Sequence, residues 1–154
     1  MPVKKLTDFL DTRKVKYVAI SHSPAYTAQE IAASAHIPGR ELAKTVMVKL
    51  DRQLAMAVLP ASYQVDLSKL KEAAGAARIE LAGEDDFRDR FPECEVGAMP
   101  PFGNLYGLRV LMAESLLQDA EIAFNAGSHT ELVRMRTEDF RRLAEPEVVR
   151  FSAR

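Results

Sequence analysis

Lys44 stands in an otherwise apolar run, Ala43-Lys44-Thr45-Val46-Met47-Val48-Lys49-Leu50. A strand alternates its side chains, so a strand here sets Lys44 with Val46, Val48 and Leu50, and puts Thr45 and Met47 on the other face with Ala43 and Lys49. An ammonium on an apolar sheet face loses hydration, and either finds an anion or lowers its pKa. The plainer reading is a rim lysine that snorkels to water. A second stretch, Gly97-Ala98-Met99-Pro100-Pro101-Phe102-Gly103, has two glycines, two prolines and no hydrogen-bonding side chain. Proline fixes the backbone and glycine permits unusual dihedrals, so a rigid loop with exposed main-chain groups is expected, or else a structural turn leading from Val96 to Leu108. A third, Gly127-Ser128-His129, reads as a turn. A lysine, bare peptide groups and a polar turn suit stabilisation of an oxyanion better than covalent attack.

Other chemistries find no pattern. His22, His36, His129 and Cys94 show no paired ligand spacing, so neither a metal nor a cofactor is expected. There is no phosphate-binding Walker loop, dinucleotide fingerprint or G-x-S-x-G elbow. Cys94 lies between Glu93 and Glu95, which disfavour a thiolate, and it reads as a bystander.

The elements that must position these residues can be read in order. Val3, Leu6, Phe9 and Leu10 are spaced for a helix over 3–14. Tyr17–Ile20 reads as a strand that ends before Pro24. Thr27 and Glu30 form a capping box for a helix that stops near Ile37-Pro38-Gly39, which leaves His22 and Tyr26 on the loop between strand and helix. Leu54–Leu59 returns from Leu50 through a polar turn as a hairpin with both faces covered. Asp66 caps a helix that Gly75 stops. Arg78–Leu81 is a short strand and Glu84–Phe91 a short helix. Leu108–Met112, Ala120–Phe124 and Glu131–Arg136 read as strands, and Thr137 caps a last helix. The sum is an α/β (α+β) fold, a mixed sheet of about seven strands with helices around it.

The 154 residues, 47% hydrophobic, fit a single domain, 1–154. Charge is balanced, 21 basic residues against 22 acidic, so no global polycation points to duplex nucleic acid. One local excess exists: Lys4, Lys5, Arg13, Lys14 and Lys16 against Asp8 and Asp11. No signal-peptide core and no apolar run long enough to span a membrane occur, from which a cytoplasmic location is expected.

Lys44 within Ala-Lys-Thr-Val, Ala57-Val-Leu-Pro60, Gly97-x-x-Pro-Pro-x-Gly103 and Gly127-Ser-His-Thr-Glu-Leu together resemble the YbaK/EbsC and prolyl-tRNA synthetase-associated editing domain family, from about Tyr17 to Phe140. The resemblance implies a strongly twisted mixed sheet and a free-standing, trans-editing deacylase. Its substrate would be the ester of mischarged tRNA, notably tRNA for proline carrying cysteine or alanine. It implies that Lys44 and Gly97 are catalytic, and that the substrate is held by Tyr26, Thr45, Met47, Met99, Pro100, Pro101, Gly127, Ser128 and His129. The partners implied are the 3′ acceptor end of the tRNA and a prolyl-tRNA synthetase. Thr45 departs from the alanine-specific branch, where asparagine follows the lysine, so the amino acid stays open. A small slot near Met47, Ala57 and Met99 is expected to select it. The competing reading is a non-catalytic tRNA- or nucleotide-binding module that associates with a synthetase.

Overall fold

The computed structural model describes residues 2–153, the side chains of residues 28 and 29 excepted; Met1 and Arg154, the ends of the expected domain, lie outside it. The fold is built on the hairpin of β2 (Ala43–Leu50) and β3 (Gln53–Pro60), paired without a break from Ala43–Pro60 to Leu50–Gln53. Its two-residue turn, Asp51-Arg52, has positive φ at both residues (48° and 75°), the hand that matches strand twist. Aspartate tolerates that conformation; arginine there is unusual. The turn is held because the Asp51 carboxylate accepts from the amides of Ala77 and Arg78 at 2.8–3.1 Å.

Around the hairpin a five-stranded mixed sheet forms in the order β5 (Ile79–Leu81), β2, β3, β6 (Arg109–Ala113), β9 (Glu147–Val149). β3, β6 and β9 run parallel; the other pairs are antiparallel. Both faces are covered, which explains the unbroken apolar run of β3. Met47, Met56, Val58, Val110 and Met112 enter one core cluster, and Val48, Ala55, Ala57, Leu59 and Leu111 the other. A second sheet, β1 (Tyr17–Ser21), β8 (Glu131–Arg136) and β7 (Glu121–Asn125), is antiparallel and closes the first cluster from the far side. A bridge from Leu42 to Ala123, supported by the Ala123 amide on the Glu41 carbonyl, joins the two sheets. β4 (Gln64–Val65) and β10 (Ser152–Ala153) form a small third one. The mixed α/β class expected from the sequence is thus present, its strands divided among three sheets. Three short strands, β4, β9 and β10, have too few residues to show a period and were not expected.

The helices follow their local signals. α1 (Lys4–Thr12) buries Leu6 and Leu10 completely. α2 (Ala28–Ala35) starts at the Thr27–Glu30 capping box and ends at His36, whose φ is 57°. α3 (Leu67–Ala74) starts on Asp66, whose carboxylate accepts from the Lys69 amide, and stops at Gly75, φ 70°. α4 (Glu84–Phe87) runs into one 3₁₀ turn rather than a single helix to 91. α5 (Thr137–Ala144) buries Phe140, Leu143 and Ala144. Thr137 is not its cap: the flanking residue is Arg136, and the Thr137 hydroxyl instead donates to the Asp119 carbonyl at 2.6 Å.

The glycine-proline stretch is not exposed as expected. Ala98 through Gly103 are buried and Gly97 alone reaches solvent. The cause is Phe102, fully buried and stacked edge-on against Phe9, Phe124 and Phe140 at 5.8, 5.7 and 5.1 Å. Burying such a ring contributes about 1.5 to 3 kcal/mol, enough to pull the segment inward. Gly103 permits it: a Cβ there would sit 2.6 Å from Val110 Cγ2 and 2.7 Å from the Leu108 carbonyl. Gly103→Ala should lower unfolding free energy by about 1 to 3 kcal/mol. Gly39→Ala, whose Cβ would meet nothing closer than 3.7 Å, should cost nothing or stabilise slightly. Urea titrations of both variants check this contrast.

Candidate functional site

Three segments far apart in sequence are knitted together by main-chain hydrogen bonds. The Glu95 amide donates to the Gly127 carbonyl at 2.8 Å, and the Gly127 amide donates back to the Ala98 carbonyl at 2.8 Å. The Ala25 amide donates to the His129 carbonyl, and the His22 amide to that of Thr130. Gly127 has φ 106°, and a Cβ would press on Val3 Cβ at 3.0 Å, where the start of α1 is tied by the Val3 amide to Ala126. Only glycine lets the turn sit there. Ser128 closes the turn through its hydroxyl, 3.2 Å from that of Thr130.

His129 is fixed from four sides. Its amide donates to Glu95 Oε2 at 2.8 Å, its Nε2 meets the Val96 carbonyl at 2.9 Å, the Tyr26 ring lies 4.7 Å from its own, and its Cε1 is 3.7 Å from where a Cβ on Gly97 would be. A carbonyl accepts only, so Nε2 carries the hydrogen, and in the neutral ring Nδ1 is an acceptor. His22 follows the same logic with the opposite nitrogen: Nδ1 faces the Ser23 carbonyl at 2.7 Å, leaving Nε2 as acceptor. Four buried side-chain polar atoms lack a partner among the described residues; three are His22 Nε2, His129 Nδ1 and Asn125 Oδ1, all in or beside these segments. Such atoms cost about 1 to 3 kcal/mol each when nothing meets them. Gly97, φ 85°, is exposed, and neither its amide nor that of buried Met99 finds an acceptor among the described residues.

Lys44 is the second residue of β2 and pairs with Leu59. It is half-buried, and burial alone holds its ammonium below the usual lysine pKa. No carboxylate or other hydrogen-bonding partner reaches it among the described residues. The lysine thus has a cause for a lowered pKa that nothing adjacent in sequence reveals. β2 lies against β7, and the isolated Leu42–Ala123 bridge precedes Lys44 by two residues on one strand and Asn125 by two on the other.

Tyr26, Gly97, Gly127, Ser128 and His129 are therefore gathered in one place, and Lys44 lies on β2, which packs against β7, the strand that leads into this turn. The remaining residues expected at the site lie deeper. Met47 and Met99 are 5% and 4% exposed and belong to the main core cluster; Pro100 and Pro101 are buried, and Thr45 is half-buried on the Met47 face. The slot expected from Met47, Ala57 and Met99 does not form. Met47 pairs with Met56, so Ala57 points to the opposite face and packs in the other cluster. Glu95, which holds His129, and Asn125, whose buried Oδ1 has no partner among the described residues, were not singled out by the sequence. Cys94 is half-buried, its thiol pushed up to about 11 by burial first and Glu93 next. Among the described residues no group of three or more histidine, cysteine or acidic side chains is placed to hold a metal, and no helix is long and apolar enough to cross a membrane.

Comparison with known proteins adds to this geometry. Two solved structures share the fold: hypothetical protein APE2540, with TM-score 0.86 at 19% identity over 97% of this chain and all of the other, and a candidate trans-editing enzyme for prolyl-tRNA synthetase, with TM-score 0.83 at 20% identity over 98% and 96%. A multifunctional Ser/Thr-tRNA deacylase, ProXp-y of Escherichia coli (strain K12), is 41% identical over 101 residues, 64% of this chain. A proline–tRNA ligase of Bacillus mycoides (strain KBAB4) is 28% identical over 75 residues, 49% of this chain. The matched parts span 59% of the deacylase and 13% of the ligase. Residues 22–143 match the model of the aminoacyl-tRNA editing domain, and the chain belongs to that family.

Proposed function

We infer that this chain is an aminoacyl-tRNA deacylase, which hydrolyses the ester joining a wrongly attached small amino acid to the 3′ end of tRNA. The observation that carries this reading is Lys44: a half-buried cation without a carboxylate partner among the described residues, on a strand packed against the one that leads into a group of unpartnered buried polar atoms. A fold keeps such a charge at a cost in stability unless a ligand's negative charge completes it. Family membership and the likeness to a Ser/Thr-tRNA deacylase point the same way.

The chemistry asked of the protein is modest. An aminoacyl ester is already activated; water adds to its carbonyl carbon, charge collects on the carbonyl oxygen, and the ribose hydroxyl leaves with a proton. Lys44 and the free amide of Gly97 supply donors for that oxyanion or for the terminal phosphate, and each well-placed donor contributes roughly 2.7 to 4 kcal/mol. His22 Nε2, Asn125 Oδ1 and His129 Nδ1 accept hydrogen bonds, so they suit the α-ammonium and hydroxyl groups of the substrate. Tyr26, 70% exposed and braced on His129, offers a face on which the terminal adenine stacks. Met99, Pro100 and Pro101 follow Gly97 in the same segment, whereas Thr45 and Met47 lie on the face of β2 opposite Lys44. The family's prolyl branch makes tRNA for proline carrying cysteine or alanine the first candidate substrate, with serine and threonine next.

Single-turnover deacylation of a panel of Cys-, Ala-, Ser- and Thr-charged tRNAs, with and without prolyl-tRNA synthetase, tests the reading. At least one ester should be cleaved, and Lys44→Ala should slow it by about 100-fold or more. Binding without cleavage across the panel would favour the non-catalytic module. A stability measurement tests the unpaired charge separately. Because the folded pKa of Lys44 is lowered, the unfolded chain holds more protons between that value and the ordinary 10.5, and native stability rises with pH through this window. Lys44→Met removes the penalty, so its advantage over the native chain should be largest near neutral pH and shrink toward pH 10.5. An advantage that stays constant with pH would contradict a desolvated ammonium.

A further inference from the structure

We propose that the β2–β3 turn carries a second RNA-contact site, one that grips the phosphates of a duplex behind the single-stranded tip held at Lys44; this rests on the tRNA reading above. Two cavities, of about 680 and 620 Å³, flank the turn and share Lys49 and Arg52 in their walls. The first adds Lys71 and Arg78, the second Arg90 and Arg109. Six cations therefore line the pair, against the carboxylates of Asp51, Glu80 and Asp86, in a chain whose formal net charge is −1.

The pairing of these charges sharpens the point. Lys49 is bound to Asp86 at 2.8 Å with Glu80 at 4.0 Å, and Arg109 is paired with Glu147. Asp51 is occupied by the Ala77 and Arg78 amides. Arg52, Lys71, Arg78 and Arg90 are all exposed and have no carboxylate partner among the described residues. Asp51 fixes the turn to the start of β5, and with it the positions of Arg52 and Arg78.

The occupant follows from what the cavities contain and lack. Neither wall includes an aromatic side chain. Single strands and free nucleotides are held largely by stacking, whereas duplex RNA is held through phosphates and ribose hydroxyls across its grooves. The track also lies at the far end of β2 from Lys44, seven residues or roughly 23 Å along the strand. One nucleotide cannot touch both places. An RNA with a short unpaired tail and a helix behind it can.

Fluorescence anisotropy with an uncharged RNA hairpin bearing a single-stranded 3′ tail tests the site, with the tail alone as reference. For Arg52→Ala/Arg78→Ala/Arg90→Ala the hairpin affinity should fall about tenfold or more, and the log–log salt slope should flatten by about two to three. The tail alone should lose much less. Arg52→Gln/Lys71→Gln/Arg90→Gln serves if the alanine variant fails to fold, and thermal midpoints check both. Unchanged hairpin affinity and slope, or an equal loss for the tail, would overturn the proposal. Since the probe carries no amino acid, a native protein that cleaves no ester but loses hairpin binding on substitution rejects the deacylase reading and keeps this site.

Discussion

The reciprocal pair of main-chain hydrogen bonds between residues 95–98 and Gly127 is the constraint on which the site depends. It sets the 95–97 segment against the turn after β7, and His129 then locks both through Glu95 and the Val96 carbonyl. Backbone bonds of this kind contribute only about 0.5 to 1.5 kcal/mol each. They hold because the segments on either side are anchored in the core, by Phe102 downstream of Gly97 and Phe124 upstream of Gly127. The site is thus a rim on a rigid aromatic cluster.

That arrangement reconciles two demands. Buried hydrogen-bond acceptors and an unpaired lysine destabilise a fold, and a chain of 154 residues has only a modest margin. Both faces of the β2–β3 hairpin are packed, and its unpaired lysine sits near the end of β2 that adjoins the Leu42–Ala123 bridge between the sheets. The opposite end of the same hairpin concentrates unpaired cations in solvent, where they cost little and are screened by salt. One rigid element therefore separates a desolvated tip from a solvated track.

What could be read from the sequence was whatever lay within a few residues. The Thr27–Glu30 box, the Asp66 cap and the Gly75 stop are local chemistry, and the structure keeps all three. The two-residue hairpin also fixes its own register: Leu50 against Gln53 sets Met47 against Met56, so parity alone separates Ala57 from Met47, a consequence the slot of Met47, Ala57 and Met99 ignored. Other features had no local signal. Glycines and prolines at 97–103 foretell the absence of regular structure but not its burial, which depends on rings at 9, 124 and 140. Glu95 meets His129 across 34 positions, and β9 exists because β6 offers it an edge.

The central claim is that Lys44, the Gly97 amide and the 127–129 turn face one bound group. The most direct measurement is an amide and lysine-ammonium NMR titration with a non-hydrolysable 3′-aminoacylamido-adenosine. The account predicts concerted shifts at Lys44 Nζ and at the amides of Tyr26, Gly97, Met99 and His129, with one common binding constant. Shifts at the loop and turn that leave Lys44 unmoved, or shifts confined to the cavities at the β2–β3 turn, would contradict it.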